Sequence, residues 1–152
     1  MTSLAKWAIT PANITTILTP NSLTNGSMSS ASSTYDNTGN LDLHCDIELV
    51  LAFGSAPAAG GIFNLYLLES VDGTNFPSPS AADLRVMTTM MFLPIPIGVA
   101  TSQRISASNP QGGGLWLPPT KFQFMIDNQC SVSTSASGNT VKLLPYSMNL
   151  NA

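Results

Sequence analysis

One run of alternating residues, 41–53, constrains the fold of this chain more than any other segment. Leu41, Leu43, Cys45, Ile47, Leu49, Leu51 and Phe53 fill its odd positions. Asp42, His44, Asp46 and Glu48 fill the first even positions, and Val50 and Ala52 the last two. Successive side chains of a strand point to opposite faces, so a period of two puts one face in a core and the other outside. The run therefore predicts one long strand over 41–53, with Asp42, His44, Asp46 and Glu48 on its outer face.

Other segments repeat the pattern. Strands are expected over 14–19, 62–70, 83–93, 103–108, 121–128 and 140–148, with Pro94 and Pro96 ending the one over 83–93. In 62–70, Phe63, Leu65 and Leu67 share one face while Tyr66 and Leu68 lie on the other, so this strand is expected to be central and covered on both sides. Asn25-Gly26, Thr38-Gly39 and Asp72-Gly73 are turn signals. No segment has a helical period. The expectation is an all-β chain, an antiparallel β-sandwich. The long connections at 21–40, 54–61, 77–82 and 94–101 suit jelly-roll crossovers better than tight hairpins. Residues 1–14, where Trp7, Ile9 and Ile14 are separated by small residues and Pro11, read as an extended N-terminal arm, and residues 15–152 as a single domain.

Composition limits the partners. Only 9% of the residues are charged, against roughly 25% in an average soluble protein. The formal charge is −3, and the five cations Lys6, Arg85, Arg104, Lys121 and Lys142 are scattered. Phosphate-gripping proteins cluster such residues, so direct nucleic-acid binding is not expected. A surface poor in charge suits burial against other proteins, because a charge at the centre of an interface must be desolvated. The most apolar segment, 86–100, is too short to span a bilayer and contains Pro94 and Pro96, so no membrane association is expected. No secretory leader is apparent at the start. Cys45 and Cys130 then read as free, buried thiols in a reducing compartment.

The row Asp42, His44, Asp46 and Glu48 is the first place to look for chemistry, since histidine with carboxylates is a metal-ligand set. There is no second histidine, and successive members stand about 7 Å apart along a strand. The plainer expectation is a solvated face whose carboxylates meet Lys or Arg on neighbouring strands. An exposed face also gives no burial to separate two carboxylate pKa values for acid–base catalysis. No nucleophile motif and no phosphate loop is present. Asp72, Thr74 and Asn75 offer too few oxygens for calcium and read as a turn. Neither an enzyme nor a cofactor is expected. Trp116 and Trp7 are candidate interface anchors.

The second half has a recognisable pattern. It runs Leu65-Tyr-Leu-Leu-Glu-Ser-Val-Asp-Gly-Thr-Asn-Phe76, Leu93-Pro-Ile-Pro96, Leu117-Pro-Pro-Thr-Lys-Phe-Gln-Phe-Met-Ile-Asp-Asn128 and Ala136-Ser-Gly-Asn-Thr-Val-Lys-Leu143. Over residues 41–148 the chain resembles the jelly-roll head decoration, or cement, proteins of tailed bacteriophages. The resemblance implies a non-enzymatic virion protein, made in the host cytoplasm. It implies binding to the major capsid protein on the outside of the shell, as a dimer or trimer. It carries no catalytic residues over. From the residues themselves, Trp7, Ile9, Ile14 and Trp116 are the expected partner contacts. The alternative is a carbohydrate-binding module of a phage tail or capsid surface. It would use Trp116 or Tyr35 as a stacking platform and loops 21–40 and 109–119 for hydrogen bonds.

Overall fold

A computed structural model describes residues 5–9, 14–80, 82–83, 92–107 and 115–150, with 5–9, 92 and 148–150 described by their backbone alone. The described residues form ten strands: β1 (Ala5–Ile9), β2 (Thr15–Leu18), β3 (Tyr35–Asp36), β4 (His44–Ala52), β5 (Ile62–Ser70), β6 (Phe92–Pro96), β7 (Ser102–Ala107), β8 (Leu115–Trp116), β9 (Lys121–Gln129) and β10 (Thr140–Leu150). They form two antiparallel sheets. One has the order β1-β10-β4-β7, with β2 also on β10 and β8 also on β4; the other has the order β3-β9-β5-β6. The chain is an all-β sandwich, as the alternation predicts.

The pairing is nested. β2 pairs with β10, β3 with β9, β4 with β7 and β5 with β6. β10 then pairs with β4, and β9 with β5, joining the nested pairs into sheets. Early strands thus find late partners, and the chain doubles back at β5 and β6.

The core lies between the sheets. Cys45, Ile47, Leu49 and Leu51 enter it from β4, Phe63, Leu65 and Leu67 from β5, Phe122, Phe124 and Ile126 from β9, and Val141 and Leu143 from β10. Fully burying such a side chain contributes about 1.5–3 kcal/mol, which makes this period-two pattern decisive for the fold. β5 is central, as expected. Its second face, Tyr66 and Leu68, is covered by Met28 and Met125.

Two expectations about strand ends need correction. β4 begins at His44, not at residue 41. Leu41 adopts a φ of +52°, which an extended strand cannot contain, and the inside–outside order is inverted around it. Leu41 and Leu43 are exposed while Asp42 is buried. Asn37 is the cause. Its Nδ2 donates to the Asp42 carbonyl (2.8 Å), its Oδ1 accepts from the Asp42 amide (2.8 Å), and its own carbonyl accepts from the Leu41 amide (3.0 Å). The second correction is that Pro94 and Pro96 lie inside β6 rather than after it. β6 is the last strand of its sheet, and proline is tolerated on an edge because no ladder donor is needed on the open side. The expected strand over 83–93 is otherwise outside the described residues.

The opposite edge of that sheet is closed by serines. Ser29 and Ser32 each donate a backbone amide to β9, at Ile126 O and Phe124 O (both 2.8 Å). Their hydroxyl oxygens accept from the amides of the same two β9 residues, at 3.0 and 2.9 Å. Side-chain oxygens thus replace a strand's carbonyls, and the β9 edge is paired rather than open.

Candidate functional site

The polar row of β4 is split by its surroundings. At the upper end, where β4 begins, Asp42 and His44 are buried. The Tyr35 hydroxyl donates to Asp42 Oδ2 (2.9 Å), and the Tyr35 ring stacks on Phe122 at 5.1 Å. Burial, then the hydrogen bond to Asp42 and its charge, push the Tyr35 phenol up to about 12 against the lowering effect of the Asn40 amide. Tyr35 is therefore half-buried against the core and tied to a carboxylate.

His44 lies between two aromatic rings. Trp116 meets it edge-on at 4.8 Å, and Tyr146 lies 5.9 Å away. The Tyr146 hydroxyl donates to Asp46 Oδ1 at 3.4 Å. Burial first, then Asp46, pushes this phenol up to about 12 as well. Among the described residues, no group of three His, Cys, Asp or Glu side chains is placed to hold a metal ion.

Further down β4 the row opens. Glu48 is flanked by a cation on each neighbouring strand, Lys142 Nζ of β10 at 3.1 Å and Arg104 Nη1 of β7 at 3.6 Å. This is the cross-strand pairing expected of an outer face. A shallow groove of about 430 Å³ lies here, lined by Ile14, Asp46, Glu48, Arg104, Lys142 and Leu144 among others. A cleft of about 570 Å³ lies along 17–33. Its Ser29, Ser32 and Ser33 hydroxyls donate to the carbonyls of Ser30, Ser33 and Ile17.

Of the four expected contact residues, Trp116 and Ile14 have described side chains, and these two stand apart. Trp116 is 64% exposed, held on β8 by the pairing His44↔Trp116 and by the Leu117 amide donating to Leu43 O (3.0 Å). Leu115 and Leu117 on either side are buried, so the local alternation fixes Trp116 outward. Ile14 is 49% exposed and lines the shallow groove with Leu144 of β10. β10 and β4 therefore stand between Ile14 and the β8 edge that carries Trp116. Trp7 and Ile9 lie in β1, opposite Met148 and Tyr146 of β10; their side chains are outside the described residues. The loop over 109–114 is also outside them.

Three exposed apolar residues escape the sequence reading: Leu41 (56% exposed), Leu43 (44%) and Val71 (93%). The first two are in phase with the core residues of β4, so alternation alone assigns them to the core. The Thr38-Gly39 turn was the only available signal that the phase could break there. Val71 stands at the start of a turn fixed by Asp72. That carboxylate accepts from Ser70 Oγ, Thr74 N, Asn75 N and Asn75 Nδ2 (3.2, 2.9, 2.7 and 2.7 Å), which lowers its pKa.

The two thiols are buried and free, as expected from the sequence. Burial pushes the Cys130 thiol up to about 11 and raises that of Cys45 further, with Asp46 and Asp42 adding to it. Thiols held in this form are poor nucleophiles.

Comparison with known proteins finds no matching family model, no matching curated protein and no matching solved structure.

Proposed function

We propose that this chain is a non-enzymatic capsid decoration protein that binds the major capsid protein on the outside of a phage head and stabilises the assembled shell. The nested strand order carries the reading. Pairs β2·β10, β3·β9, β4·β7 and β5·β6, folded into two sheets, suit the jelly-roll reading, a fold used by viral capsid and lectin domains. This is support by likeness of fold, which leaves function to the surface. The surface agrees: it is poor in charge, and Trp116 and Ile14 present apolar area outside the core.

Such a clamp works by mass action. A protein that binds the shell and not free subunits lowers the free energy of the assembled state. Many weak contacts on a symmetric lattice, made by a dimer or trimer, add to a tight one. Residues 1–14 supply an arm in this scheme, with Trp7, Ile9 and Ile14 as contacts. The test is sedimentation of the chain with purified empty heads. Wild-type protein is expected in the pellet, and a variant lacking residues 1–13 in the supernatant. Equal pelleting of the two rejects the arm.

The alternative, a glycan-binding module, has one specific observation in its favour. Trp116 presents an exposed ring steadied by His44, the form of a sugar-stacking platform. Binding on a glycan array, with none to heads, would select it.

A further inference from the structure

The sandwich has two ends, and their surfaces are unlike. At the upper end are the loops over 37–43, 71–75 and 117–120, together with Trp116. At the lower end are those over 19–27, 54–61, 97–101 and 130–139. Of the six large exposed apolar side chains among the described residues, four are at the upper end: Leu41, Leu43, Val71 and Trp116. Only Val99 is at the lower end, and Ile14 is on the outer sheet face.

The charges divide the same way. Asp36, Glu69 and Asp72 are exposed at the upper end. Lys121, 3.5 Å from Asp36, is the one cation with a described side chain there. The lower loops hold no charged residue. A third feature belongs to the upper end too. The last pair of β10 with β4 is Tyr146↔His44, and beyond it residues 147–150 pair with β1. This two-stranded ribbon continues beyond the last pair with β4.

We infer that the upper end, presenting Trp116, Leu41, Leu43 and Val71 amid Asp36, Glu69 and Asp72, is the face that docks a protein surface whose apolar centre is rimmed by lysine and arginine. Apolar side chains fixed outward supply the area removed from water, and carboxylates around them steer a basic rim and set register. The apolar residues are fixed, not incidental: Asn37 holds Leu41 and Leu43 outside, and the Asp72 turn holds Val71. A second copy docked end to end would bring like carboxylates together, so the complementary occupant is a different protein. For the identity of that protein the inference rests on the capsid reading above.

The experiment is quantitative pelleting with empty phage heads assembled from purified major capsid protein. Four proteins are compared: wild type, Leu41→Ser/Leu43→Ser/Trp116→Ala, Asp36→Asn/Glu69→Gln/Asp72→Asn, and the lower-end control Val99→Ser. All altered positions are exposed, and circular dichroism with a melting curve verifies that each variant is folded. The apolar variant is expected to bind about tenfold or more weakly, and the charge variant to weaken and to lose the salt dependence shown by wild type. Val99→Ser is expected to bind as wild type does. Wild type pelleting together with an unimpaired apolar variant overturns this docking face and leaves the capsid reading standing. An unimpaired charge variant overturns the basic rim. Wild type left in the supernatant overturns the capsid reading, and this partner with it.

Discussion

At the lower end of the sandwich, polar side chains hold the chain to itself. Asn128 donates to Leu23 O and Val132 O and accepts from the Cys130 amide. Asn139 donates to Ser135 O and Asn21 Oδ1 and accepts from the Ala52 amide. Thr134 bridges Pro20 O and the Leu23 amide. At the upper end one residue does comparable work: Asn37 ties residue 42 to Pro118 O (2.8 Å), and Tyr35 caps Asp42. The lower end uses two buried amides and a buried hydroxyl to close the loops over 19–27 and 130–139 without any ion. The upper end uses one buried amide, and in doing so turns two leucines outward. Closed loops need no partner, whereas exposed leucines and a tryptophan cost free energy until they are covered.

That contrast is open to attack at both ends. The largest effect is expected from Asn128→Ala. It removes three hydrogen bonds around a fully buried side chain and leaves Val132 O and the Cys130 amide without these partners, while Leu23 O keeps the Thr134 amide (3.1 Å), a loss of about 3 kcal/mol. The melting temperature is expected to fall by roughly 6–12 °C for a domain of this size, read by thermal denaturation. Asn37→Ala is expected to cost somewhat less, about 2 kcal/mol, because Asp42 keeps its Tyr35 bond. Unlike Asn128→Ala, it should also weaken head binding, since it frees Leu41 and Leu43. If both variants lose stability and neither loses binding in the folded state, the ends do not differ in task.

Alkaline titration probes the upper end next. Tyr35 and Tyr146 ionise near 12 in the folded protein, against about 10 when unfolded. A raised phenol pKa leaves stability fully present below pH 10. It is lost as pH rises from 10 through 12, because there the unfolded state binds fewer protons. Tyrosinate absorbance should rise together with unfolding in that window. Titration of both phenols near pH 10 in still-folded protein would contradict their burial. The smallest effect is expected from Glu48→Gln on the open stretch of β4, within about 1 kcal/mol and diminishing with salt, as for other exposed pairs. Chemical denaturation at low and high salt measures it.

The strands were largely legible because burial imposes its period on them. Cys45, Ile47, Leu49 and Leu51 are all core residues, as are Phe122, Phe124 and Ile126. Alternation failed at Leu41 and Leu43, where a side-chain amide outweighs the apolar phase. A hydrogen-bonded pair of backbone groups beside a buried carboxylate fixes the chain there, and nothing in a period of two encodes that. The edge position that admits Pro94 and Pro96 into β6 was likewise invisible, because whether a strand has a neighbour on its open side depends on the whole sheet. Trp116 reads as an anchor candidate because it is an isolated aromatic in a proline-rich segment; that buried Leu115 and Leu117 turn it outward belongs to the structure. Its pairing with His44 was not readable from residues so far apart in the chain.

The sequence by itself determined that this protein is an all-β sandwich, that Cys45 lies on the core face of its strand, and that Glu48 stands on an outer face. Each follows from local alternation and the cost of burying charge. The tertiary structure alone decided the nested pairing and the division of Asp42, His44, Asp46 and Glu48 into a buried and an open part. It also decided the gathering of exposed apolar residues at one end. Those depend on which strands meet, and neighbours supplied from the far half of the chain leave no mark in local order.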